Sequence, residues 1–227
     1  MADDAPTFFG PSSPDGPLAL EEFERRFWEE GLAHVAGVDE AGRGALAGPV
    51  VAAAVVLPPG FDCSGIRDSK QLNAGSRDEL FATLADGASA WAVGVASAKV
   101  VDDVNILNAA LLAMKKACLR LAPAPDLLLV DGNRPVPMVV RQKTIVRGDA
   151  RCVSIAAASI IAKVYRDRLM TLLDAKYPGY GFAVHKGYGT AAHLKALAAL
   201  GPSPAHRRSF APVARYFSEA AGDLFRQ

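Results

Sequence analysis

The chain has 227 residues, 51% of them hydrophobic, which suits one compact domain with or without an appendage. No run of about 18 apolar residues escapes a break or a charge, which argues against a transmembrane helix; the N-terminus carries acids where a secretory leader carries Lys or Arg, and three widely spaced cysteines offer neither a metal-ligand pattern nor a disulfide framework, so a cytoplasmic protein is expected. Net charge is only +1, but residues 1–40 hold ten acids against two bases while residues 134–215 hold fourteen bases against three acids, a polarity that suits a basic surface for a polyanion.

Residues 1–17, rich in Pro, Gly, Ser and Asp, read as a flexible extension ahead of one domain over 18–227. LALEEFERRFWEEG (18–31) predicts an amphipathic helix stopped by Gly31. A strand over 33–39 and a buried strand over 49–57, PVVAAAVVL, flank a Gly-Arg-Gly turn and pair as a hairpin. A loop follows over 58–65, then a helix over 76–87 with a serine cap and a glycine stop. The alternating segment 89–98 predicts a third strand, and 105–123 a helix. PDLLLVDGN (125–133) holds a short apolar strand ending at Asp131, and 139–146 adds another. A long Ala-rich helix is expected over 152–177, a further one over 190–201 and a last one over 212–226. Three strands first, then alternation of helix and strand, specify an α/β fold with a mixed sheet. Functional residues of such sheets gather at strand ends.

Four acids stand at such ends. Asp39 and Glu40 close one strand, Asp131 closes another, and Asp149 precedes the Ala-rich helix. Successive side chains on a strand point to opposite faces, so Asp39 and Glu40 share a site only if the strand ends or twists between them. Gly42 and Gly44 ease that departure. Clustered carboxylates without His or Cys suit hard cations, and Mg²⁺ bridges protein carboxylates to substrate phosphates. Two such ions about 3.5–4 Å apart would activate a water and stabilise the leaving oxygen in phosphodiester hydrolysis. The plainer reading of any one of these acids is a turn residue or a helix cap. It weighs most for Asp149.

GVDEAGRGALAGPVVAAAV closely resembles the opening motif of the bacterial ribonuclease HII family, the type 2 ribonucleases H. The likeness continues through DSKQL (68–72), NILNAALLAM (105–114), LLVDGN (128–133), RGD (147–149), SIAAASIIAKVYRDRLM (154–170), YGFAVHKGYGTAAH (180–193) and HRRSFAPV (206–213), in the family's order. The resemblance implies a ribonuclease H-like fold: a mixed five-stranded sheet flanked by helices, with a C-terminal helical segment. It implies cleavage of RNA joined to DNA, on the 5′ side of the ribonucleotide, leaving a 3′-hydroxyl and a 5′-phosphate. By position, the family's acidic quartet falls on Asp39, Glu40, Asp131 and Asp149, which would hold Mg²⁺ or Mn²⁺, two ions per site during catalysis. RGD stands where KGD is common, a swap that keeps the positive charge. Asp167 in YRDR, beside two arginines, reads instead as an ion-pair residue. The family's Gly-Arg-Gly turn, here Gly42, Arg43 and Gly44, contacts the ribose 2′-hydroxyl and adjacent backbone, with Ala45 where proline is common. Tyr188 matches the tyrosine that packs on the neighbouring sugar. Lys70, Lys186, Arg207 and Arg208 are candidate phosphate contacts. His185 and His206 read as phosphate or structural contacts, and the block 155–164 as packing.

The expected partner is therefore duplex nucleic acid containing ribonucleotides, with the protein acting as a monomer. The tail AAGDLFRQ bears a faint likeness to the sliding-clamp motifs of some relatives. The nearest alternative is another two-metal nuclease of the same fold class, which needs neither the turn nor Tyr188. An alternative from a different class is a non-catalytic module that grips RNA–DNA duplexes by shape and charge. Uncompensated acids near phosphates speak against it.

Overall fold

The computed structural model describes residues 21–66 and 74–223; the extension over 1–17, Lys70 with the rest of DSKQL, and residues 224–227 of the tail lie outside them. β1 (Val35–Ala41) and β2 (Val50–Val56) pair antiparallel as the expected hairpin, with Asp39 opposite Ala53. β3 (Ala90–Ala96) joins the far side of β2 antiparallel. β4 (Leu127–Asp131) and β5 (Arg141–Ile145) add in parallel beyond β1. The result is one mixed sheet in the order β3-β2-β1-β4-β5.

Every residue of β2, VVAAAVV, is buried. Its four valines favour a strand, and burial on both faces holds the three alanines, which are indifferent strand formers. α3 (Ala98–Cys118) covers the face that carries Ala36, Val38, Ala52 and Ala54. α4 (Val153–Lys176) covers the opposite face with Ala53 and Val55, and α2 (Ala74–Gly87) packs beside it through Phe81 and Leu84. The Ala-rich block of α4 is packing, as expected: a Cβ at Gly37 of β1 would fall 2.0 Å from the Ser154 carbonyl carbon, so helix and strand backbones touch. α1 (Glu22–Glu29) seals the β4–β5 side with Phe27 against Val35, Leu127, Leu129 and Ile145. Its buried Glu24 accepts from the Ser154 N–H at 2.8 Å and the Ser154 hydroxyl at 2.6 Å, capping the start of α4 from a separate element.

Two elements depart from expectation. α3 starts at Ala98 rather than at 105, because two helical segments adjoin: Ser97 caps the first, and the chain breaks at Asn105 (φ 67), whose side chain caps the second by accepting from the Asn108 N–H. A single-turn helix, α5 (Phe182–His185), follows α4 where none was expected. α6 (Ala191–Leu200) and α7 (Ala211–Asp223) complete the described chain. The C-terminal segment wraps the loop between β1 and β2: Ala47 bridges His206, and the Leu46 and Ala47 N–H groups donate to the Gly187 carbonyl at 2.8 and 3.3 Å. Among the described residues no helix is long and apolar enough to cross a membrane.

Candidate active site

The register sets Val38 beside Val130, so Asp39 and Asp131 emerge next to each other from neighbouring parallel strands. Asp39 shares the α4 face with Gly37 and is hydrogen-bonded by Ser159 and by the Glu40 N–H at 2.7 Å. β1 runs through to Ala41 rather than stopping at Asp39, so Asp39 and Glu40 leave opposite faces of this central strand, and Glu40 lines a cleft. Asp149 lies on a 3₁₀ turn, Gly148–Ala150, tied to the site by the Gly148 N–H donating to Asp131 Oδ1 at 2.6 Å. Burial, then the charges of Glu40 and Asp131, hold the Asp39 carboxyl well above the usual carboxylate range. Burial also raises Glu40, against the pull of Arg43, whose guanidinium is 3.1 Å away. No Lys, Arg or His pairs with Asp39 among the described residues. Three acids thus crowd a corner with one guanidinium at its rim.

That donor set is all oxygen and short of positive charge, which fits a hard divalent cation. Among the described residues no three Asp, Glu, His or Cys side chains come together closely enough to hold a metal ion by themselves. A partial set is what Mg²⁺ uses when waters and substrate phosphates fill its remaining positions.

The cleft, about 470 Å³, is lined by Glu40, Ala41, the turn Gly42–Arg43–Gly44, Arg77, Ser159, Ile160, Lys163 and Tyr188. Tyr188 is 39% exposed, and its ring lies 4.0 Å from the position a Gly44 Cβ would take. The structure thus brings Glu40, the turn and Tyr188 to one cleft, with Asp39 and Asp131 close enough to Glu40 for their charges to act on it and on each other. The basic residues divide. Lys186 lines a neighbouring hollow of about 160 Å³ with Arg77, Asp167 and Arg168. Arg208 is exposed, but its guanidinium lies over Phe217 at 4.6 Å and its N–H donates to Asp102. Arg207 corrects the expectation of a phosphate contact: it is fully buried, and its guanidinium donates to the carbonyls of Gly42, Arg43 and Gly48.

Asp167 is an ion-pair residue as expected, though its partner is Lys163 at 2.5 Å rather than a flanking arginine. His185 and His206 are structural. The His193 Nδ1–H donates to the Tyr188 carbonyl at 2.9 Å, the His206 Nε2–H donates to His193 Nε2 at 3.1 Å, and His206 Nδ1 accepts from the Ser203 N–H at 3.0 Å. That order of donors leaves both rings neutral. Burial, then the neighbouring His193, pushes His206 down to about 4. Sequence reasoning missed Arg77, Ser159 and Lys163 of the cleft wall. The i, i+4 spacing of Lys163 and Asp167 was the one available signal.

A five-stranded mixed sheet with carboxylates at the adjoining ends of β1 and β4, and helices on both faces, defines the ribonuclease H-like class of nucleases. Within it, residues 36–213 match the family model described as Ribonuclease HII. The chain is 55% identical to Ribonuclease HII of Syntrophotalea carbinolica, over 91% of this chain and 97% of that one, and 56% identical to that of Geobacter sulfurreducens, over 89% and 93%. Among solved structures it is similar to the ribonuclease H2 from Pyrococcus horikoshii (28% identity, TM-score 0.68, 82% of this chain and 97% of that one). It is also similar to the RNase HII of a PCNA:RNase HII complex from Archaeoglobus fulgidus (28%, TM-score 0.67, 78% and 95%). The chain belongs to the ribonuclease HII family.

Proposed function

We propose that the protein is a divalent-metal endoribonuclease that cuts on the 5′ side of ribonucleotides embedded in duplex DNA, and the RNA strand of RNA/DNA hybrids, leaving a 3′-hydroxyl and a 5′-phosphate. The observation that carries this reading is the mutual crowding of Asp39, Glu40 and Asp131, with Glu40 in the same cleft as the Gly-Arg-Gly turn and Tyr188. Asp39 and Asp131 would hold Mg²⁺ or Mn²⁺, with Glu40 and Asp149 completing two sites. The ions supply, when bound, a more acidic water and charge to offset that developing on the phosphate. The protein's own part is placement. Ser159 and the Glu40 N–H fix the Asp39 carboxylate, and the Gly148 N–H fixes Asp131. The turn approaches the sugar closely enough for main-chain groups to bond a hydroxyl that DNA lacks. Tyr188 packs on the next sugar, and Lys163, Lys186 and Arg77 border the path of the phosphates.

All of these groups come from one chain, so the reading needs no second copy. Removal of misincorporated ribonucleotides and primer remnants in the cytoplasm is the role it implies. The RNase HII of Archaeoglobus fulgidus was solved with PCNA, and a sliding-clamp contact through the tail belongs to the same proposal. The deciding assay uses a labelled duplex with one ribonucleotide, with Mg²⁺, Mn²⁺ or EDTA, beside an all-DNA control. Metal-dependent cleavage 5′ to the ribonucleotide is expected, with the control intact, and Asp131→Asn should abolish cleavage while keeping the fold. Tight binding without turnover in either metal would overturn the enzyme reading in favour of a binding module.

A further inference from the structure

The loop between β1 and β2 rests on two arginines that form no ion pair among the described residues. Arg207 and Arg166 are both fully buried. Arg207 donates from Nη2 to the Gly42 carbonyl at 2.7 Å, from Nη1 to the Arg43 carbonyl at 2.8 Å, and from Nε and Nη2 to the Gly48 carbonyl at 3.1 and 3.0 Å. Arg166 donates from Nε to the Pro49 carbonyl at 3.0 Å and from Nη2 to the Ala47 carbonyl at 3.3 Å, while its Nη1 has no partner. Its guanidinium carbon lies 5.4 Å from the centre of the Tyr188 ring, and its Nε stands 2.0 Å from where a Gly42 Cβ would be. Two buried like charges compensated only by carbonyls are costly. Burial lowers the pKa of both, Arg207 to about 10.

The consequence lies in peptide geometry. In a trans peptide the C=O and N–H of one plane point in opposite directions. Arg207 draws the Gly42 and Arg43 carbonyls inward, so the N–H groups of Arg43 and Gly44 turn away from it, on a turn that lines the cleft. Among the described residues neither N–H donates to another main-chain group. Two main-chain donors are thus aimed outward by a side chain that never reaches the cleft, with Tyr188 propped beside them on Arg166.

We infer that Arg207 and Arg166 are positioning residues for ribose recognition: a buried guanidinium pair that aims the Arg43 and Gly44 N–H groups at the sugar and holds Tyr188 against it. This rests on the ribonuclease reading above. A guanidinium is suited to the task because its planar fork serves several carbonyls at once, whereas an ammonium is a single point. Arg207→Lys keeps the charge and removes the fork.

The test measures the affinity of wild type, Arg207→Lys and Arg166→Lys for a one-ribonucleotide duplex and for the same all-DNA duplex, with Ca²⁺ in place of Mg²⁺, and then cleavage in Mg²⁺. A misplacement of about 1 Å can cost about 100-fold in rate. The variants should therefore lose most of the wild-type preference for the ribonucleotide duplex and fall by roughly tenfold or more in kcat, while all-DNA affinity stays unchanged. A general loss of structure would lower both affinities together. Arg207→Ala should regain cleavage with added millimolar guanidinium but not with equal sodium chloride. Folded variants that keep the full preference and the wild-type kcat would overturn the inference. If Arg207→Lys does not fold, Arg166→Lys decides by the same criterion. Wild type that fails to cut would overturn the ribonuclease reading itself, a result distinct from variants that behave like a cutting wild type.

Discussion

Gly42 sits at φ +94 with Arg166 Nε 2.0 Å from where a Cβ would begin. A side chain there meets both a left-handed backbone, costing about 1 kcal/mol or more, and a guanidinium held by the Pro49 and Ala47 carbonyls. Gly42→Ala should therefore move the turn rather than only strain it: thermal stability should fall by about 1–3 kcal/mol, and kcat/KM on a one-ribonucleotide duplex should fall much further. Denaturant melts and steady-state kinetics on the same sample separate the two effects. Single residues also show what a sequence can and cannot disclose. Asp39, Glu40 and Asp131 were legible because an acid ending an apolar strand conflicts with burial, and the conflict is visible in the letters. Arg207 was not, because HRRSF holds two adjacent arginines and only the fold decides that one is buried under the turn while the other is exposed beside α7.

Among the elements, the short α5 and the loop after α6, residues 201–210, illustrate the same limit. Strands and long helices announce themselves by period and caps, and most fell close to their expected places. α5, the break at Asn105 and the early start of α3 depend on local backbone states that carry no periodicity. The loop's order comes instead from the neutral chain Ser203–His206–His193 that ends on the Tyr188 carbonyl. That chain predicts a pH dependence. His206 has a folded pKa of about 4 against an ordinary 6.5, so the unfolded chain binds the proton first. Its contribution to stability is present above pH 6.5 and is lost as pH falls toward 4, by up to about 1.4 kcal/mol per pH unit. Asp39 and Glu40 act with the opposite sign: their pKa values are raised, so the cost of their charges is relieved by acid. The informative quantity is therefore a difference. Melting temperatures of wild type and His206→Asn should converge as pH is lowered from 7.5 to 5, whereas a constant gap would show that His206 does not titrate as a buried neutral ring.

For the whole molecule, the sheet, α4 and the C-terminal wrap hold three acids together, and among the described residues no cation pairs with Asp39. This arrangement costs stability, and the cost gives a direct test of what the site is for. Asp39→Asn removes a buried carboxyl group whose pKa is raised by burial and by Glu40 and Asp131, while its side-chain oxygen can still accept from the Glu40 N–H. The apo variant should be more stable than wild type by about 1 kcal/mol, in the range typical of substitutions that trade activity for stability, yet inactive. A divalent cation should stabilise wild type by binding the folded state alone, raising its melting temperature with concentration, and should do so far less for the variant. Calorimetric melts of both proteins with EDTA, Mg²⁺ and Mn²⁺ check the two statements at once. An Asp39→Asn protein that is less stable than apo wild type, or one that gains as much from the cation, would mean that Asp39 is held by its neighbours for structural reasons. The buried carboxylate would then no longer mark a site built for a metal.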